Sequence, residues 1–356
     1  MRHPLLDEPI TGPTVWRGAD LANSTDWIRP FSVAALAEID AALRAVQSRG
    51  LAWRAVRTAD FPLPGLSADL AQVNRDLEWG RGLVLLRGLP VERYSEEELR
   101  TIWWGLGCHL GTAVHQNAHG ELIGEVRDEV RLYGEVVEPA VLKGEGVTSR
   151  AKARSSGPLR WHTDRCDVVG LLCVRAARRG GTSRVVSVPA VSNAIRARRP
   201  DLHALLCADY HRSRQGEEVG GEVSCYALPI FAMRDGKFTT QYSRTFVEAA
   251  QKIAGIPRLT AAQDEALDVL AAVCDEYGYE MALEPGDIQL LNNHVIYHGR
   301  TAYEDAPEAG RDRLLMRLWL APPDSRPLPE GFEVLWGTTR GGAVRGGIAQ
   351  PAAARA

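Results

Sequence analysis

Apolar positions in the first third of the chain recur at helical spacing. The run "VAALAEIDAALRAVQ" follows Ser32, whose hydroxyl suits a helix N-terminus, and Gly50 stops it. Ser95 and Glu98 form a reciprocal S-x-x-E cap ahead of "LRTIWWGLGCHLG", and Thr260 with Gln263 repeats the device before "DEALDVLAAVCDEYG". Elsewhere the apolar runs are short and strand-like: "GLVLLRGLP", "ELIGEVRD", "VVGLLCVRA", "SRVVSVP", "YALPIFAM", "KFTTQYS", "YEMALEPGDIQLLNN" and "RLLMRLWLAPP". Gly, Pro and Asp punctuate them at short intervals. This pattern predicts an antiparallel barrel or sandwich, mainly β with flanking helices (α+β), and argues against a doubly wound parallel sheet.

Two stretches break the pattern. Residues 136–160, "VVEPAVLKGEGVTSRAKARSSGPLR", are rich in Gly, Ser and charge, and a loop of that length reads as a lid or binding loop. Residues 336–356 read as a low-complexity C-terminal tail with a frayed end. The expected organisation is one domain over 1–335, helical to about residue 80 and strand-rich from about 80 to 325.

Composition narrows the function classes. A 45% hydrophobic and 24% charged chain is an ordinary globular protein, and a net charge of −3 gives no reason to expect nucleic acid or an anionic membrane as partner. Local basic clusters such as "RAARRGGTSR" and "RARRP" read as solvated faces or helix ends. The six cysteines contain no C-x-x-C pair, which suits reduced thiols in a cytoplasmic protein. The longest apolar run, "VVGLLCV", is far short of the ~20 residues of a membrane-spanning helix. The expected partner is a small-molecule substrate, with self-association into a homo-oligomer left open.

The chemistry gathers around "RWHTDRCDVVGLLCV". In a strand, His162 and Asp164 project to one face, with Trp161, Thr163 and Arg165 on the other. Cys166 shares the parity of Asp164 and reads as a buried thiol. Two further histidines, His294 and His298, follow the strand-like "IQLLNN". Two imidazoles and one carboxylate with the opposite side open form the ligand set of non-haem Fe(II) centres that activate O2, although zinc with a bound water could use the same donors. His115 and His119 lie four apart, but the sequence after Gly120 opposes the helix that such a pair would need.

The order of several short motifs resembles the taurine dioxygenase-like, clavaminate synthase-like Fe(II)/2-oxoglutarate oxygenases (the TauD/TfdA-like family). The matching pieces are "WHTD" at 161–164, "GGTS" at 180–183, "PGD" at 285–287, Asn293 five residues before His298, and Arg313 with Arg317. The segment "GLVLLRGLP…SEEELRTIWWGLGCHLG" also looks like that family's opening, so the likeness covers roughly residues 80 to 325. It implies a double-stranded β-helix, or jelly-roll, core. It implies that His162, Asp164 and His298 bind iron, with His298 preferred over His294 by its spacing from Asn293. Arg313 would take the far carboxylate of 2-oxoglutarate, helped by Thr182 or Ser183, with Thr182 slightly ahead. Arg317 would face an anionic group of the substrate, because an unpaired buried arginine calls for an anion; Gln116 and Asn117 are weaker substrate-facing candidates. Arg311 reads as solvated. The implied reaction oxidises a C–H bond of a small carboxylate- or amino-acid-like substrate while 2-oxoglutarate yields succinate and CO2, and retention of Asp164 argues against halogenation. The alternatives are a catalytically silent jelly-roll binding protein with a structural metal site, and a zinc hydrolase, which would need a general base beside the metal; Asp167, the nearby acid, has the parity of the opposite face.

Overall fold

Strand Leu314–Ala321 carries apolar side chains on both of its faces, and this divides the molecule into two layers of core. Met316, Leu318 and Leu320 pack outward with apolar residues of helices Val33–Ser48, Leu66–Trp79 and Glu96–Leu110. Leu315 and Trp319 point the other way, into a second core lying between two sheets. The computed structural model describes residues 8–129, 141–142, 146–147, 154–215, 217–218, 222–306, 310 and 312–350.

The larger sheet runs Ile28–Pro30, Leu83–Arg87, Ile288–Asn292, Val168–Arg175, Leu314–Ala321 and Thr112–Ala113, with Ile123–Val126 also paired to Leu314–Ala321. Its pairings are antiparallel except between the first two strands. The smaller sheet runs Tyr279–Met281, Ser183–Ser187, Ile296–Arg300 and Leu159–His162, all antiparallel. The two facing sheets form the expected jelly roll, and helices cover their outer faces. Trp103 fixes one of these contacts by donating its indole N–H to the Met316 carbonyl at 3.0 Å. Gly170 is required beneath it, since a Cβ there would lie 2.6 Å from the indole ring.

The three sequence-read caps are present: Ser32 accepts from the Ala35 amide, and Ser95/Glu98 and Thr260/Gln263 form reciprocal boxes. Several helices without a periodic signature of that kind also form. Helix Val188–Arg198 begins directly at the end of strand Ser183–Ser187, capped by the Ser187 hydroxyl with Pro189 in its first turn. The basic "RARRP" is the end of that helix, where cations suit the helix dipole.

The C-terminal stretch departs from expectation. Residues 336–350 are not a loose tail: Ile348 is buried, and its amide donates to the His115 carbonyl at 2.8 Å. Arg345 is fully covered and meets Asp167 through Nη2 at 2.7 Å and Nε at 3.0 Å. A Gly- and Ala-rich composition conceals this, because the anchoring rests on single side chains and backbone amides without periodicity. Residues 351–356, most of the lid-like stretch 136–160, and Arg311 lie outside the described residues. Among the described residues, no helix is long and apolar enough to cross a membrane.

His203 gives the fold an acid-sensitive point. It is buried between helices Val188–Arg198 and Pro200–Leu206, where its Nε2 meets the Ser192 hydroxyl at 2.9 Å. Burial, aided by Arg196, pushes its pKa down to about 4 from the ordinary 6.5. The unfolded chain therefore binds this proton more readily than the folded one. The stabilising effect is complete above pH 6.5 and is lost as pH falls towards 4, by an amount on the order of 3 kcal/mol. Urea unfolding of wild type and His203→Gln between pH 4 and 7 should show the variant losing less stability on acidification, by roughly that margin.

Candidate active site

Antiparallel register brings the first two ligands together. His298 is the direct cross-strand partner of His162, and their ring centroids are 4.2 Å apart. Asp164 lies just beyond the end of strand Leu159–His162 and turns inward below them. Its Oδ1 is 4.0 Å from His162 Nε2, and its Oδ2 is 3.9 Å from His298 Nε2. The donor atoms of the three residues all lie within 4.8 Å of one another.

The surroundings prepare these groups for a cation. Burial lowers the His162 pKa, and burial with the neighbouring His162 ring pushes His298 down to about 3. Both imidazoles are therefore neutral at physiological pH, with lone pairs available. His162 Nδ1 lies 2.8 Å from the Arg160 carbonyl; donation there leaves Nε2 as the free acceptor. Burial works to raise the Asp164 carboxyl, but the Arg317 charge, aided by the Trp319 hydrogen bond, outweighs it, so its pKa lies below the ordinary value. Its orientation is fixed by Trp319 Nε1, which donates to Oδ2 at 2.8 Å, and by Asn293 Oδ1, which accepts from its backbone amide at 3.1 Å.

His294 does not join this group. Its Nε2 lies 2.7 Å from Asp167 and its Nδ1 lies 2.8 Å from the Thr239 hydroxyl, deep in a separate buried network. The same network holds Asp167, which meets His294 and Arg345. Cys166 is the expected buried thiol, raised well above its ordinary pKa by burial.

Two cavities meet at the triad. The smaller, about 50 Å³, is bounded by His162, His298, Ser183, Arg300, Arg313 and Arg317 among others. Arg313 is 5% exposed, and its Nη1 has no hydrogen-bond partner. Such a buried cationic donor calls for an anion. Gly181 makes room for it: with φ of +68°, it stands where a Cβ would approach Arg313 Nε to 3.1 Å. Arg300 adds a second cation, its pKa lowered to about 10 by burial and by Arg313. Of the two candidate hydroxyls, Ser183 lines this cavity and reaches across to Gln289 of the facing sheet at 2.9 Å. Thr182 does not line it, and its amide donates to the Thr301 hydroxyl. Strand register sets Ser183 opposite Arg300, which also lines this cavity. The donor set fits a divalent metal, and the orphaned Arg313 nitrogen fits the distal carboxylate of a keto acid held beside it.

The larger cavity, about 610 Å³, opens from His162 and Asp164 towards Arg165, Arg214 and Arg244. Gln116 and Arg317 line it, but neither is as free as the sequence reading required. Arg317 Nη1 lies 3.4 Å from Asp164 Oδ2, and its Nε donates to Gln116 Oε1 at 2.7 Å. The premise of an unpaired arginine is thus corrected: Asp164 and Gln116 partner it. Gln116 spends its amide hydrogens on the Leu122 and Arg317 carbonyls. Asn117 is not in the lining. Its Oδ1 accepts from the His119 and Glu121 amides, which makes it a turn residue. His115 and His119 also lie away from the triad, on a segment without helix, as the sequence implied.

Trp319 is the supporting residue that sequence reasoning missed; only its even spacing from Arg313 and Arg317 hinted that it faces inward. Substituting Trp319→Phe keeps the ring and removes the donor to Asp164. Iron(II) affinity, measured by competition with a chromophoric chelator, should fall roughly 10–100-fold, whereas His298→Ala should abolish stoichiometric uptake.

The model of the taurine catabolism dioxygenase TauD, TfdA family matches residues 45–319. FR-33289 synthase of Streptomyces rubellomurinus is 32% identical over 345 residues, covering 94% of this chain and 96% of that protein. The structure of asparagine oxygenase with Fe(II), 2S,3S-3-hydroxyasparagine and succinate superposes with a TM-score of 0.60 at 21% identity, over 83% of this chain and 93% of that one. Non-heme iron oxygenase OrfP with Fe, succinate and (3S)-hydroxy-L-Arg gives 0.59 at 16% identity, over 82% and 94%. The chain belongs to the TauD, TfdA family, and it is an Fe(II)- and 2-oxoglutarate-dependent dioxygenase.

Proposed function

We propose that this dioxygenase oxidises a C–H bond of a small carboxylate- or amino-acid-like substrate, with His162, Asp164 and His298 as the metal ligands. Arg313 would receive the distal carboxylate of 2-oxoglutarate, with Ser183 beside it. The observation that carries this reading is the orphaned, buried Nη1 of Arg313 in a small cavity that shares its wall with the triad. A structural metal site in a silent binding protein would leave that buried charge unexplained. Two hydroxylated amino acids in the solved relatives, hydroxyasparagine and hydroxyarginine, support the substrate class. The six cysteines are free thiols, which agrees with a reducing, cytoplasmic setting.

Bound iron and 2-oxoglutarate would supply the oxidising power, with O2 as oxidant and succinate and CO2 as products. The chain supplies position. The triad presents three donors from one side, and the larger cavity lies on the substrate side of the same residues. Trp319 and Asn293 hold the Asp164 carboxylate in place, and Arg317 counters its charge. Hydroxylation is the expected outcome, with desaturation or ring closure arising from the same hydrogen abstraction.

Succinate formation from 2-oxoglutarate in the presence of Fe(II), ascorbate and air tests the reading. Wild type should form succinate slowly even without its substrate. In Arg313→Gln the KM for 2-oxoglutarate should rise at least tenfold, in line with the loss of a charged hydrogen bond worth about 1.5–3 kcal/mol, while iron uptake stays unchanged. Equal KM values in the two proteins would remove Arg313 from the co-substrate site.

A further inference from the structure

We propose that the larger cavity contains a second anion site, in which Arg165 and Arg214 seat a phosphate-like dianion at the end of the substrate remote from the metal. The inference rests on the oxygenase reading only in calling this ligand the substrate; the site itself is argued from its own geometry.

Arg214 is 4% exposed and lines the cavity. Its Nε donates to the Val223 carbonyl at 3.0 Å and its Nη2 to the Val334 carbonyl at 2.6 Å. The Tyr226 ring, 5.0 Å from its Cζ, supports the face of the guanidinium. These contacts fix the plane of the group and leave Nη1 over. That nitrogen is buried and has no hydrogen-bond partner. Arg165 lines the same cavity and is held in a parallel manner, with Nε donating to the Leu335 carbonyl at 3.1 Å. Successive carbonyls of the short helix Glu333–Trp336 therefore hold the two guanidinium groups in place. Two cations are thereby kept close together, and burial with the charge of Arg214 lowers the Arg165 pKa.

Two carboxylates lie nearby: Glu222, 3.6 Å from Arg214 Nη1 and 3.7 Å from Arg165 Nη2, and Glu217, which lines the same cavity and acts on the charge of Arg165. Both Glu222 distances exceed hydrogen-bond reach, so the two guanidiniums share its charge without either being satisfied by it. Anchoring the helix end explains the Nε and Nη2 contacts but not a buried Nη1 without an acceptor. An arriving anion must compete with Glu222 and must serve two separate forks. A carboxylate offers two oxygens, which one guanidinium can occupy in full. A phosphate group offers three terminal oxygens and a second negative charge, and it can bridge the pair. The cavity volume of about 610 Å³ lies within the ordinary range for a small-molecule site.

Calorimetric titration of the full chain, loaded with Fe(II) and 2-oxoglutarate under nitrogen, tests this with inorganic phosphate, methyl phosphate and acetate. Both phosphates should bind, acetate at least tenfold more weakly. Arg214→Gln should weaken methyl phosphate at least tenfold, and Arg214→Lys should recover only part of the loss. Glu222→Gln should tighten binding several-fold, because it removes the carboxylate nearest to both guanidiniums. Repetition on iron-free protein should give the same affinities, which rules out phosphate held by the metal. The proposal is overturned if wild type binds neither phosphate, if Arg214→Gln and wild type agree within twofold, if acetate matches phosphate, or if binding vanishes without iron. The two readings fail separately. Arg214-dependent phosphate binding in a chain that forms no succinate would sink the oxygenase reading alone, and succinate formation without such binding would sink the subsite alone.

Discussion

A buried carboxylate must stay charged, correctly turned, and open on one side, and the architecture around Asp164 answers to that constraint. Desolvation alone would push the group towards its neutral acid. Two side chains of strand Leu314–Ala321 oppose this, Arg317 with its charge and Trp319 with a hydrogen bond to Oδ2, while Asn293 grips the Asp164 backbone amide and fixes its position. Arg317 and Trp319 belong to the larger sheet, whereas His298 and His162 belong to the smaller one. The metal site is thus also the place where the two sheets are held in register. Replacing one donor would disturb both charge and packing, since an unpaired charge in such surroundings destabilises by several kcal/mol.

Behind this first group stands a second polar network that carries no chemistry. Asp167 gathers His294 and Arg345, and the Arg165 carbonyl accepts from the Gly347 amide at 2.7 Å. The C-terminal stretch is thereby pinned against the loop that carries Asp164 and Arg165. The end of the chain consequently forms part of the cavity wall, through Leu335 and through the carbonyls that hold Arg165 and Arg214.

The triad was legible because its logic is local. Strand parity places His162 with Asp164, and the resemblance, through the offset from Asn293, selects His298 over His294. Arg313 was named through the resemblance, by its spacing from Arg317; it lies just before strand Leu314–Ala321, whose odd-numbered Leu315 and Trp319 face inward. What stayed hidden depends on partners distant in sequence. Ser183 and Thr182 differ by one residue of register, and only the pairing of Ser183 with Arg300 shows which of them lines the small cavity. Arg317 looked unpaired because Gln116 and Asp164 reach it from 201 and 153 residues away. Asn117 looked like a ligand-facing amide, but it closes its own turn. The packed C-terminal stretch lacked periodicity altogether, so composition alone read it as loose.

The division between sheets and excursions also separates reaction from recognition. Residues of the two sheets and their immediate ends supply the metal ligands and the small cavity, where the geometry must be rigid. The far wall of the larger cavity draws on Ser213 and Arg214 at the end of one two-stranded sheet, on Gln241–Phe246 after another, and on Leu335. None of these lies in either main sheet. The 241–246 segment is tied to the ligand strand, since Ser243 bridges His162 and the Thr163 amide donates to the Tyr242 carbonyl at 2.9 Å, so the freedom to vary charge and shape falls to side chains such as Arg214 and Leu335. A fold built in this way can keep one oxidative chemistry while its substrate changes. His162, Leu159 and Arg317 line both cavities, and of these Arg317 carries a positive charge and touches the metal carboxylate. Its charge is felt on both sides of the partition, so an anion entering either cavity changes the field met by the other. Recognition and reaction are therefore separable in covalent structure but remain coupled through this one cation.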